Sequence, residues 1–184
     1  MIQQIDTSTA TGKRDKAIFA LACTTGLRAG DLVSLELDEI DWKNKEITVV
    51  QGKTSRPLHL PLQEDVCNTL ANYILNARPK TDSRKIFIRS LAPFTGFQNG
   101  DAIGSIFRRY RKKAGIVHEL HDGKTFHGIR RMLGTEMVSN SIPLPTVAQV
   151  LGHQSTKPTR QYISIDIEGL KRCALPLSSL GETQ

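Results

Sequence analysis

Apolar positions recur at helical spacing over much of the chain. From Lys13 onward, Ala17, Ile18, Leu21 and Ala22 share one face, and Gly26 supplies a C-terminal stop. A short second helix is expected to carry Leu32, Leu35 and Leu37. The period then changes. Ile40-Asp41-Trp42, Ile47-Thr48-Val49-Val50 and Leu58-His59-Leu60 are short β-type runs, separated by the turn clusters Lys43-Asn44-Lys45 and Gln51-Gly52-Lys53-Thr54-Ser55. This pattern predicts a small antiparallel sheet of three strands. Helical spacing returns over Gln63–Ala77, with Val66, Leu70, Tyr73 and Ile74 facing inward. Residues 78–100 are rich in turn formers around a short apolar Ile86-Phe87-Ile88. Asp101 is the expected N-cap of a helix through Lys113 that buries Ile103, Ile106, Phe107 and Tyr110 and ends at Gly115. Further helices are expected at 127–139, 144–151 and 158–173. The fold class is mainly α with a small three-stranded antiparallel sheet (α+β). One domain is expected over 13–175, after a polar leader or linker end at 1–12 and before a tail at 176–184.

Charge adds a partner class. The 25 basic and 18 acidic residues leave a net charge of +7, which favours a polyanion, most simply nucleic acid. No apolar run is long enough to span a bilayer, and the N-terminus lacks the apolar core of a signal peptide. Cys23, Cys67 and Cys173 are odd in number and far apart, without a C-x-x-C pair. Cys23 and Cys67 lie in apolar helical patterns and read as core residues, and a reducing, cytoplasmic setting is expected.

The densest charge run is Arg108-Arg109-Tyr110-Arg111-Lys112-Lys113. It reads equally as a solvated helix surface or as a phosphate-contacting face, with Arg108, Arg109, Arg111 and Lys112 the candidate DNA contacts. Thr11-Gly12-Lys13 lacks the upstream glycine and strand of a phosphate-binding loop. His118-Glu119-Leu120-His121 has no further ligand cluster and reads as surface rather than as a metal site. No H-E-x-x-H, nucleophile elbow or acidic metal cage is visible, so neither a metal nor a cofactor is expected.

The last third is denser in chemistry. His127 and Arg130, three apart at a helix start, share one face within Thr125-Phe126-His127-Gly128-Ile129-Arg130-Arg131. Leu151-Gly152-His153-Gln154-Ser155 follows, then Tyr162 nine residues after His153. Near the other end lies Thr25-Gly26-Leu27-Arg28-Ala29-Gly30-Asp31-Leu32, with Arg28 on a tight connection between helices. Singly, each residue has a structural explanation. Together and in this order they resemble the catalytic domain of tyrosine site-specific recombinases, the phage integrase family, over about Lys13 to Leu175. The blocks are T-G-L-R-x-x-[ED]-L at Thr25–Leu32, a lysine in a strand turn at Lys53, H-x-[LI]-R-R at His127–Arg131, and L-G-H-x-S-x-x-x-T-x-x-Y ending at Tyr162. Asp31 replaces the commoner Glu, Gly128 and Ile129 replace Asp or Ser and Leu, and Ser164 stands where a His often follows the tyrosine.

The resemblance implies a transesterification at a DNA phosphodiester, with Tyr162 as nucleophile and His127 as base. Arg28, Arg130 and His153 would bind the phosphoryl oxygens, Lys53 would protonate the leaving 5′-oxygen, and Asp31 would orient an arginine. Arg131 would contact phosphate or pair within the fold. It also implies double-stranded DNA as partner, self-assembly into a tetrameric synapse, and no metal. Two other readings are relaxation of DNA in the manner of a type IB topoisomerase and a catalytically silent DNA-binding module. The L-G-H-x-S block and the full residue set favour the recombinase. Family members hold DNA in a two-domain clamp, and residues 1–12 leave no room for the N-terminal half. A fragment, or an unusually minimal recombinase, is therefore expected, with weak DNA binding and a shallow salt dependence.

Overall fold

The computed structural model describes residues 1–50, 57–119, 122–153, 155–159 and 162. Six helices and a three-stranded sheet make up these residues: α1 (Ala10–Thr25), α2 (Ala29–Ser34), β1 (Ile40–Asp41), β2 (Glu46–Val50), β3 (Pro57–Pro61), α3 (Glu64–Asn76), α4 (Asp101–Lys113), α5 (Phe126–Ser139) and α6 (Leu144–Val150). The fold class is the expected one, and most helix ends fall within a residue or two of the periodicity. The sheet is antiparallel in the order β1-β2-β3, with Ile40 opposite Ile47 and Ile47 opposite Leu60. Ile47, Val49 and Leu60 turn toward the core.

α1 runs through the main core with Ala17, Ile18, Phe19, Leu21 and Ala22 buried. Phe19 meets Tyr110 edge-on and packs with Phe107 and Phe126 at centroid distances of 5.9–6.5 Å, which joins α1, α4 and the start of α5. Three local readings are corrected. α2 ends at Ser34, so of the leucines expected on it only Leu32 lies in the helix; Leu35 is its C-cap residue and Leu37 falls in a separate 3-10 turn, Leu37–Glu39. The opening residues are not a free polar leader: Ile2–Gln4 forms a 3-10 turn, Ile5 is buried, and α1 begins at Ala10 because the Thr9 side chain accepts from the Gly12 N–H. Gly100, not Asp101, is the N-cap of α4, while Asp101 sits in the first turn, where its charge suits the helix dipole. Cys67 is buried as expected, but Cys23 is only partly so.

A second, smaller apolar cluster of Val147, Leu151 and Tyr162 lies between α5 and α6, flanked by Leu133, Met137 and Val138. Among the described residues no helix is long and apolar enough to cross a membrane. The Lys53 turn and the segment after Tyr162, including most of the helix expected at 158–173, lie outside the described residues.

Candidate active site

The site is built where α1 ends. Gly26 caps α1 at φ +63°, a left-handed conformation that Gly adopts without strain, and its N–H donates to the Ala22 carbonyl. The chain then turns at once into α2, so that Arg28 is the N-cap residue of α2. Three residues on, Asp31 lies in the first turn of α2 with Oδ2 3.8 Å from the Arg28 guanidinium. This oxygen is buried and has no hydrogen-bond partner among the described residues.

α5 supplies the second part. Phe126 anchors its start in the aromatic core, so His127 is carried to the surface one residue later. Arg130 points inward and is 3% exposed. It donates from Nη1 to the Gly26 carbonyl at 2.8 Å and from Nη2 to the Leu151 carbonyl. One guanidinium thus joins the end of α1 to the end of α6. Five donors are available on an arginine, so three N–H groups are not used by these two bonds. A Cβ at Gly128 would lie 2.3 Å from the Gly123 carbonyl oxygen.

The third part follows α6. His153 is half-buried, and its Nδ1 lies 2.8 Å from the Thr159 hydroxyl. Thr159 is fully buried and Tyr162 is 2% exposed. Thr159 matched the motif but carried no role in the sequence reading; here it fixes the imidazole.

These groups share one electrostatic field. Burial, then the charges of Arg130, Arg28 and His127, push the pKa of His153 down to about 4. Burial and then Arg130, Arg131 and Arg28 also lower that of His127. Burial and Arg28 push Arg130 down to about 10, against opposing effects of Tyr162 and Asp31. At neutral pH the cluster therefore holds charged guanidiniums beside neutral imidazoles. Arg28, Asp31, His127, Arg130, His153 and Tyr162 are thus brought together, and Lys53 lies outside the described residues.

The basic run on α4 divides into two kinds of residue. Arg108, Arg109 and Lys112 are exposed. Arg109 is ion-paired with the buried Asp15, and Arg111 donates to the Lys124 carbonyl at 2.7 Å. The last two therefore hold elements together, which the charge run did not reveal. Arg131 lies against Gly123 in the loop that precedes α5. His118 pairs with Asp122 at 2.8 Å, and no metal-binding group of three or more side chains occurs among the described residues.

The phage integrase family model matches residues 1–168. Among curated relatives, the integrase/recombinase y4rA of Sinorhizobium fredii is 38% identical over 176 residues, covering 96% of this chain and 42% of the relative. Its counterpart y4gC from the same organism is 34% identical over 169 residues, covering 92% and 85%. Tyrosine recombinase XerA of Pyrococcus furiosus is 27% identical over 158 residues, covering 86% and 52%. The chain spans about four-tenths of y4rA and about half of XerA. Among solved structures, the XerA recombinase superposes with a TM-score of 0.75 at 23% identity, over 100% of this chain and 64% of that one. XerH bound to its palindromic difH substrate in a post-cleavage complex gives 0.77 at 18% identity, over 94% and 48%. At these identities the structures show likeness of fold. The match over nearly the whole length, the y4gC relative and the shared fold together mean that the chain belongs to the phage integrase family.

Proposed function

We propose that the chain is the catalytic domain of a tyrosine recombinase that cuts and rejoins DNA at the recombination or attachment sites of a mobile element or phage. The observation that carries this reading is the convergence of Arg28, His127, Arg130, His153 and Tyr162, drawn from three separate parts of the chain, into one electrostatically coupled cluster.

The Tyr162 oxygen attacks phosphorus as its proton passes to His127, whose lowered pKa leaves it neutral and able to accept at pH 7. The P–O5′ bond breaks, a 3′-phosphotyrosyl bond forms, and Lys53 protonates the departing oxygen. The remaining N–H groups of Arg130 and the Arg28 fork bind the non-bridging oxygens as charge builds on them. Nδ1 of the neutral His153 lies 2.8 Å from the Thr159 hydroxyl; in the tautomer in which Nδ1 accepts, the proton sits on Nε2 and is donated to a phosphoryl oxygen. A 5′-hydroxyl from a second strand reverses the step and completes the exchange, with the bond energy retained in the covalent intermediate.

Relatives support the partner: XerH is seen bound to difH and a λ integrase dimer to a COC′ core site. Double-stranded DNA is the proposed partner here. Assembly into a tetrameric synapse, Arg108, Arg109, Arg111, Lys112 and Arg131 as phosphate contacts, and a cytoplasmic, nucleoid-bound location belong to the same proposal. The test is a nicked suicide duplex carrying candidate sites. The wild-type chain should be trapped on the DNA, and Tyr162→Phe, which loses only the nucleophilic oxygen, should bind DNA equally and give no adduct. An adduct with the Phe variant would remove Tyr162 as nucleophile.

A further inference from the structure

The ring of Tyr162 rests on α5 at a residue without a side chain. A Cβ at Gly134 would lie 2.8 Å from both Cε2 and Cζ of the tyrosine and 3.1 Å from Cδ2. Real carbon contacts do not approach so closely, so the ring occupies the space a larger residue would fill. Gly134 stands four residues after Arg130 and seven after His127, so the three lie along one face of α5. From this seat the phenol lies near enough to act electrostatically on Arg130. A glycine in the middle of a 14-residue helix works against helix stability, so something other than helix formation accounts for it.

We propose that Gly134 is the positioning residue for the nucleophile: its missing side chain lets the Tyr162 ring lie against α5 one turn beyond Arg130, which sets the phenol beside the guanidinium. One stripe of α5 thus carries the proposed base at its start, the phosphoryl ligand in its first turns and the seat of the nucleophile next. The inference rests on the recombinase reading for its chemical meaning, but the seat can be tested without it.

Gly134→Ala and the bulkier Gly134→Val are compared with wild type by two readouts. The first is nitration of tyrosines by tetranitromethane, mapped by peptide. Tyr73 and Tyr110 are buried in the main core and report on folding. Tyr162 should be protected in the wild type and several-fold more reactive in both variants, most in Val, with Tyr73 and Tyr110 unchanged. The second is the rate of covalent adduct formation on the suicide duplex, expected to fall tenfold or more while DNA affinity holds within twofold. Helix propensity favours Ala over Gly, so a general loss of fold is not the expected cause. Unchanged Tyr162 nitration in the Val variant would overturn the seat, and so would an unchanged or faster adduct rate at normal DNA affinity. If even the wild type forms no adduct on any duplex, the recombinase reading fails by itself, and the nitration pattern alone decides the seat.

Discussion

Arg130 performs two tasks with one guanidinium. Its bonds to the Gly26 and Leu151 carbonyls hold the α1–α2 corner and the end of α6 around the site, and in the proposed reaction its remaining donors bind phosphate. Arg130→Ala should therefore lose stability as well as adduct formation. Two charge-assisted bonds at about 1.5 kcal/mol each put the loss on the order of 3 kcal/mol, readable as a shift in the urea midpoint. Arg130→Lys keeps the charge but not the planar fork, and should recover only part of that loss. An Ala variant as stable as the wild type would show that the two carbonyls do not depend on Arg130. His153 makes a separate prediction. Its pKa lies near 4 when folded, against the ordinary 6.5, so between these values the unfolded chain binds the extra proton. Stability is then complete above about pH 6.5 and falls as the pH drops toward about 4. His127, shifted in the same direction, adds to this slope. The carboxylates held low, such as Asp38 and Asp41, titrate below their usual 3.8 and lose their contribution only at lower pH. Urea unfolding at several pH values should show a shallower slope in this window for His153→Gln; an identical slope would remove His153 as its source.

Among the elements, α1 and α4 are joined by a buried ionic knot. Asp15 is fully buried and accepts from Arg14, Arg109 and the Tyr110 hydroxyl, while Arg14 also donates to the Ile88 carbonyl and the Ser90 hydroxyl. Removing one member of such a network leaves the others desolvated and unpaired. Asp15→Ala should cost about 3–5 kcal/mol, measured by chemical denaturation. A loss below about 1 kcal/mol would mean that water replaces the carboxylate. None of this was visible in the sequence. Arg14 and Asp15 are adjacent charges on an amphipathic helix, a pattern that normally marks a solvated face, and their partners lie some 75 to 95 residues away. The helix spans themselves were legible, because apolar residues at i, i+3 and i+4 are enough to define a buried face. The end of α4 was also legible from Gly115, whereas its cap moved by one residue to Gly100, since local chemistry allows either Asp or Gly at that position.

The molecule as a whole has a large core around α1 and a small one around Tyr162, with Arg130 bonded across from the α1 corner to the end of α6. The proposed site lies along this junction. Its positive charge comes from side chains, so DNA cleavage should proceed in excess EDTA at the same rate as in Mg²⁺, as read from adduct formation on the suicide duplex. A strict divalent-metal requirement would take the transition-state charge away from Arg28 and Arg130 and overturn the proposed chemistry.

Residue types, their order and their periodicity settled much in advance. The helices and the sheet follow from local spacing, and the site residues stood out because their motifs recur as ordered blocks. The tertiary structure decided what depends on distant partners. It paired Arg109 with Asp15, bonded Arg111 to the Lys124 carbonyl, paired His153 with Thr159 and placed Tyr162 on Gly134. The physical reason is one of range. A helical period is fixed by neighbours three and four residues away, whereas the burial of a charge or the seat of a ring is fixed by which faces meet when the elements pack.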